Sequence, residues 1–271
     1  MVSLERFARR PGNFTQAVTE LYGKYSEIYI YILSNIPKTQ QNKAMGNQSA
    51  ASAPDVSFLT ELANRARSDK GSTYKAAHYY TRVYERVLPP RDTTINLLEI
   101  GLSRDGTAMM PSMRVWREYY GLDARLFGID IRPGFHRFND PAGNLWIGIG
   151  DQSSPASLLN VVQEQWGGPQ FDVIIDDGSH ASQHQQVTLN TLWHFLKPGG
   201  LYVIEDLHSQ PKGDRGIKTR ALLKRCQAQP EETCLPGISR DEIAEIRFFD
   251  SLSRGWPSNH TKDALVILRK K

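Results

Sequence analysis

The sequence predicts an α/β fold: a doubly wound, mostly parallel sheet of seven strands with an antiparallel hairpin at one edge. Three observations carry that expectation. Apolar runs at 97–100, 126–131, 145–149, 171–175, 201–204, 244–249 and 264–268 alternate with helical patterns near 107–120, 154–165, 182–196 and 217–228. Alternation of this kind is how crossover helices build a parallel sheet. The runs are also continuously apolar, as strands covered on both faces are. The last two differ: the stretch 250–263 between them leaves no room for a convincing helix, so they are expected to pair as a hairpin.

The elements follow in order. Residues 13–36 place Phe14, Val18, Leu21, Tyr22, Tyr25, Ile28, Ile32 and Leu33 at helical spacing, closed by Pro37. The following stretch to Pro54 is rich in Gln, Asn, Ser and Ala without a period, which reads as a linker or mobile lid. Residues 1–55 are therefore expected to form a helical arm and linker, and 56–271 the α/β domain.

In that domain the first strand, Leu97-Leu98-Glu99-Ile100, runs into Gly101 and a loop through Asp105 to Gly106 before a helix. A glycine at a strand end lets a ligand approach the backbone, and the next helix offers free N–H groups. The Gly-x4-Gly spacing lacks the dinucleotide fingerprint, which disfavours an NAD(P)-binding oxidoreductase. The second strand ends on Asp130, a position where an acid receives ribose hydroxyls. The third ends on Gly150-Asp151-Gln152, a polar pair suited to an adenine edge. The fourth and fifth end on Asp176-Asp177-Gly178-Ser179-His180 and Glu205-Asp206. If these two are neighbours, four carboxylates and a histidine meet at one sheet edge, a cluster hard to keep ionised without a cation. Asp176 is expected to orient the turn and not to be a ligand. Histidines at 184 and 208 make a zinc site conceivable, though histidines beside a cleft are more often solvated.

Composition sets the outer bounds. The chain has 271 residues and a net charge of +4, too small to argue for nucleic acid. No apolar run approaches the roughly 18 residues that span a bilayer. The N-terminus lacks a signal-peptide core, so a cytoplasmic location is expected. Cys226 and Cys234 are expected to remain thiols, although their closeness leaves a local bridge open.

These residues resemble a known family. Leu-Leu-Glu-Ile-Gly, Gly-Ile-Asp130, Gly150-Asp-Gln-Ser, Ile175-Asp-Asp-Gly-Ser-His180, Lys197-Pro-Gly-Gly through Glu205-Asp206 and Phe249-Asp-Ser-Leu are similar to class I S-adenosylmethionine-dependent methyltransferases. Within that class they resemble the metal-dependent macrolide and rhamnosyl sugar O-methyltransferases of the mycinamicin type. Upstream, Ser68-Asp-Lys-Gly-Ser-Thr73 and His78-Tyr-Tyr80-Thr with Tyr84-Glu85 also resemble that family's segment before the first strand.

The resemblance implies a Rossmann-like fold with S-adenosylmethionine and Mg²⁺ as cofactors. Glu99, Gly101, Asp105 and Gly106 would surround the methionine part of the cofactor. Asp130 would hold the ribose, Asp151 and Gln152 the adenine, and Asp177 and Tyr80 are further cofactor candidates. Asp177, Glu205 and Asp206 match the metal ligands, and His180 matches the general base. The acceptor would be a small molecule presenting a hydroxyl or a carboxylate. Carboxyl methylation needs neither metal nor base, and the basic segment Lys212, Arg215, Lys218 and Arg220 leaves that alternative open. A non-catalytic subunit is disfavoured by the retained acidic sets. The arm at 13–36 would leave an apolar stripe on a monomer, so a homodimer through it is expected, with no nucleic-acid or membrane partner.

Overall fold

The computed structural model describes residues 57–74, 77–91, 93–103, 110–228, 235–250, 252 and 264–271. The expected arm at 13–36, the linker, and the loop positions Asp105 and Gly106 lie outside the described residues.

The seven strands are β1 (Asn96–Ile100), β2 (Arg125–Asp130), β3 (Leu145–Ile149), β4 (Phe171–Asp176), β5 (Leu196–Ile204), β6 (Ile243–Asp250) and β7 (Ala264–Lys270). Their order across the sheet is β3-β2-β1-β4-β5-β7-β6. The first five pair in parallel, and β7 runs antiparallel to both β5 and β6. The doubly wound sheet with its edge hairpin is therefore present. Chain order reverses direction between β1 and β4, and such a switch point opens a crevice beyond the carboxyl ends of the strands.

Helices cover both faces: α1 (Phe58–Ala66), α2 (Thr81–Val87), α3 (Pro111–Tyr120), α4 (Pro155–Leu159), α5 (Ser182–Leu192) and α6 (Thr219–Ala228). Leu97, Leu98, Phe127, Ile129, Val173, Ile174, Tyr202 and Val203 are fully buried between these layers. This explains why the strands lack polar alternation. The helical pattern expected over 154–165 is α-helical to Leu159 and then widens into a π-helical stretch, Asn160–Gln165, which buries Val161 and Val162 side by side. The Pro198-Gly-Gly stretch lies inside β5. A register shift on β4 between Phe171 and Val173 takes up the extra residues.

Residues 57–90, read only as a segment preceding β1, hold α1 and α2. Ser57 caps α1 by accepting from the Thr60 N–H at 3.4 Å, and Arg67 ends it in the left-handed conformation. The expectation for the cysteines changes too: Cys226, in the last turn of α6, is disulfide-bonded, and Cys234 is the sole other cysteine of the chain. Cysteine usage therefore no longer speaks for a reducing compartment. Among the described residues no helix is long and apolar enough to cross a membrane.

Candidate active site

Register brings the acidic strand ends together. Glu99 lies opposite Ile175 and Ile100 opposite Asp176, while Asp176 faces Ile204 on β5. The ladder continues past the strands, with the Asp177 N–H donating to the Ile100 carbonyl at 2.9 Å and the Glu205 N–H to that of Asp176 at 3.0 Å. Gly101, at φ +87°, belongs to the same crossing. A Cβ there would lie 2.1 Å from the Asp177 carbonyl oxygen, so the β1 loop meets the β4 loop with no side chain between them.

The loop between α1 and α2 closes over this edge and delivers a cation. Lys70 is 2 % exposed, and its Nζ lies 2.5 Å from Asp177 Oδ2, 2.8 Å from Glu205 Oε2 and 3.4 Å from Glu99 Oε1. Glu99 also accepts from the Trp116 indole at 3.0 Å, and Tyr84 donates its hydroxyl to Glu205 Oε1. Tyr80 donates to Asp206 Oδ1 at 2.5 Å and accepts from the Asp206 N–H at 3.2 Å. On its other oxygen Asp206 faces His180 Nε2 at 3.4 Å. His78 stacks on the Tyr80 ring and reaches to 3.9 Å of Asp206 Oδ1. His180 and Asp206 both hold left-handed backbone, φ 59° and 53°, which surrounding structure must over-determine.

Burial separates the charges by strength. It raises Glu99 and Asp176 to about 7. It also raises Asp177, where Lys70 pulls the other way, and Glu205, where Asp177 adds to the rise. Asp206 behaves in the opposite sense: burial raises it, but His78, His180 and the Tyr80 hydrogen bond outweigh that and hold it below the ordinary carboxylate range. Lys70 is depressed by burial, yet Asp177, Glu205 and Glu99 carry it well above the usual lysine value. The site therefore holds a permanent cation inside and a dependable anion, Asp206, at its mouth.

Two groups place their ligand atoms within 4.8 Å of one another: Asp177, His180 and Asp206, and His78, Asp206 and His208. Two carboxylates and an imidazole at a partly open position fit a hard divalent ion such as Mg²⁺ or Mn²⁺. The expected ligand Glu205 is absent from both groups. Its two oxygens face Tyr84 and Lys70. His184 lies outside them as well, its Nδ1 2.8 Å from the Ser179 hydroxyl.

The residues expected around the cofactor divide in two. Asp130 closes the β2 end, accepting from the Leu102 N–H at 3.0 Å and the Arg132 N–H at 2.9 Å. Asp151 accepts from Ser153 and stands at the β3 end beside them. Gln152 turns inward, donating to Asp176 Oδ1 at 2.5 Å and accepting from the Ser179 N–H at 2.9 Å. Both ends of its amide thus organise the β4 loop. Asp176 orients that turn, as expected. Tyr80, expected beside the cofactor, is fully buried against Asp206 instead. Of the basic segment, Lys218 pairs with Asp214 at 2.8 Å and Arg220 with Asp250 at 2.5 Å, so those charges already have partners.

Sequence reasoning missed the roles of Lys70, His78, Tyr84 and Trp116. One signal was available: several buried acids at one sheet edge demand an internal cation. Ser68-Asp-Lys-Gly is the only stretch singled out on the sequence before β1 that contains one.

No family model matches the chain. The chain is 39 % identical over 165 residues to 8-demethyl-8-alpha-L-rhamnosyl tetracenomycin-C 2'-O-methyltransferase of Streptomyces olivaceus, covering 59 % of this chain and 40 % of that protein. It is 33 % identical over 157 residues to demethylmacrocin O-methyltransferase of Streptomyces fradiae, covering 55 % and 36 %. It is 32 % identical over 157 residues to mycinamicin VI 2''-O-methyltransferase of Micromonospora griseorubida, again covering 55 % and 36 %. The chain thus spans well under half the length of these relatives. Among solved structures, the MycE methyltransferase from the mycinamycin biosynthetic pathway, in complex with Mg, SAH and mycinamycin VI, superposes with a TM-score of 0.57 at 23 % identity. That match covers 80 % of this chain and 55 % of the other. The resemblance to rhamnosyl and macrolide sugar O-methyltransferases is borne out, and the fold is the Rossmann-like one of class I methyltransferases.

Proposed function

We propose that this chain carries an S-adenosylmethionine-dependent O-methyltransferase site that works on a hydroxyl of a small, sugar-bearing secondary metabolite with the help of Mg²⁺. The observation that carries the reading is the convergence of Asp177, His180 and Asp206 within 4.8 Å at the carboxyl ends of β4 and β5, beside the Gly101 loop. The relatives' named sugar and macrolide substrates support the acceptor class.

The chain's own residues divide the work. Asp130 and Asp151, at the ends of β2 and β3, receive the hydroxyls and the base edge of the adenosyl group. Asp177 and Asp206 would hold the metal beside His180, and a bound Mg²⁺ would lower the pKa of an acceptor hydroxyl. Asp206 faces Nε2 of His180 at 3.4 Å and orients the imidazole. His180 would take the acceptor proton as the methyl group passes from the sulfonium sulfur to the acceptor oxygen, leaving the neutral thioether. Methyl transfer is an in-line displacement on an already activated carbon, so alignment and proton removal are what the protein must supply. The pairing of Lys218 and Arg220 with Asp214 and Asp250 favours a hydroxyl acceptor over a carboxylate. A homodimer built through the arm at 13–36 completes the reading, and deletion of residues 1–37 should abolish it in light scattering.

The deciding experiment incubates the purified protein with labelled S-adenosylmethionine, Mg²⁺ and a panel of rhamnosylated and hydroxylated acceptors. Label should enter an acceptor hydroxyl and vanish with chelator. A melting temperature that rises with NADH and ignores S-adenosylhomocysteine would sink the assignment.

A further inference from the structure

The sequence motif around Lys70 has no part in that mechanism, yet the fold takes pains to place it. Asn64 of α1 clamps the loop by accepting from the Ser72 and Thr73 N–H groups at 2.7 and 3.1 Å. Gly71 permits the clamp, because a Cβ there would lie 2.5 Å from the Asn64 oxygen. The loop is tied across to the start of α2 by His78 N–H to Asp69 carbonyl at 2.7 Å and Thr81 N–H to Lys70 carbonyl at 3.0 Å. The outcome is a lysine fully enclosed among three carboxylates, two of them at hydrogen-bond distance. A buried acid pair without a cation is unstable, and an ammonium is a compact point charge able to serve several carboxylates at once.

We propose that Lys70 is a built-in counter-ion: it holds Asp177 and Glu205 in place in the metal-free protein and leaves Asp206, with Asp177 and beside His180, as the face that a divalent cation joins. Lys70 is thus a positioning residue, acting on the cation site through the carboxylates it holds. It also accounts for Glu205 standing outside both candidate ligand groups, since that carboxylate already has an ammonium and a tyrosine hydroxyl. The inference rests on the cation site of the proposed function but not on methyl transfer.

The test therefore uses the full chain without S-adenosylmethionine or acceptor. In chelator, Lys70→Met should melt on the order of 10 °C below the parent protein, because it strands buried carboxylates. Adding about 10 mM MnCl2 should recover most of that loss, while the parent should gain only a few degrees, as linkage to the native state requires. Mn²⁺ affinity by calorimetry should rise about tenfold in Lys70→Met, since a nearby positive charge has gone. Lys70→Met melting with the parent, or melting low without any response to Mn²⁺, would overturn the proposal. If Lys70→Met does not fold, the double variant Lys70→Met with Glu205→Gln removes one charge of each sign and should recover folding; failure to recover would equally overturn it. Calorimetry with S-adenosylhomocysteine on the parent reports separately on the methyltransferase reading.

Discussion

The carboxylates at the ends of β2 and β3 and those at the ends of β4 and β5 are held in opposite ways. Asp130 and Asp151 accept mainly from backbone N–H groups, Arg132 two residues on and Leu102 28 residues back for the first, Ser153 two residues on for the second. Glu205 and Asp206 depend on side chains more than 120 residues away: Lys70 at a separation of 135, Tyr80 at 126 and Tyr84 at 121. The first arrangement leaves two carboxylates held mainly by N–H donors, Asp130 buried and Asp151 half-buried. The second makes a charged interior gathered around Lys70, in which Glu205 is engaged on both oxygens while Asp177 and Asp206 stand with His180 as the candidate cation site.

The comparison is tested most severely at His180. His180→Ala should lower turnover about 10²–10⁴-fold while S-adenosylhomocysteine binds as before, because only the β4–β5 half has changed. A loss of adenosyl binding of the same size would show that the halves are not separable.

The next effect is on stability. Tyr84→Phe removes the donor to Glu205 Oε1 and should cost about 1–3 kcal/mol in chemical denaturation, with the cofactor half untouched. Asp130→Asn should weaken S-adenosylhomocysteine by roughly tenfold in calorimetry, a loss confined to the other half.

A pH prediction isolates Glu99, which sits between the halves. Burial raises it from 4.5 to about 7, so the folded state keeps its proton longer than the unfolded chain does. Its contribution to stability is complete below 4.5 and is lost as pH rises through 7. Glu99→Gln should therefore flatten the fall of melting temperature across that window, relative to the parent. An unchanged slope would assign the proton elsewhere.

The smallest effect belongs to the basic segment. Arg220 and Asp250 are 29 % and 48 % exposed, and Arg220→Ala should cost between about 0 and 1 kcal/mol, less in high salt. A large loss of turnover from this variant would revive the carboxylate acceptor.

The same contrast explains what was legible in the sequence. The strands and their acidic ends could be read because burial on both faces forces unbroken apolar runs, and a polar residue then stands out where the run stops. Asp130, Asp151, Asp177 and His180 are the candidates that stand out in this way. Lys70 and Tyr84 could not be found so, because their partners are set by a loop folding across the sheet edge. Neither residue carries a period or a strand end to mark it. The misplacement of Tyr80 and Gln152 has the same origin: side-chain direction at a loop is decided by tertiary contacts, here Asp206 for one and Asp176 for the other. The choice of Glu205 as a ligand failed to appear in the geometry for want of a cation in the count.

The close passage of Gly101 against the Asp177 carbonyl has a mechanical consequence. With no Cβ between them, the backbones at Gly101 and Asp177 pack in direct contact, so a shift of one would press on the other as on a single hinge leaf. Whatever free energy that leaf transmits from one pocket to the other must be equal in the reverse direction. Filling either pocket first should then tune the second by the same factor, and Gly101→Ala should disconnect them.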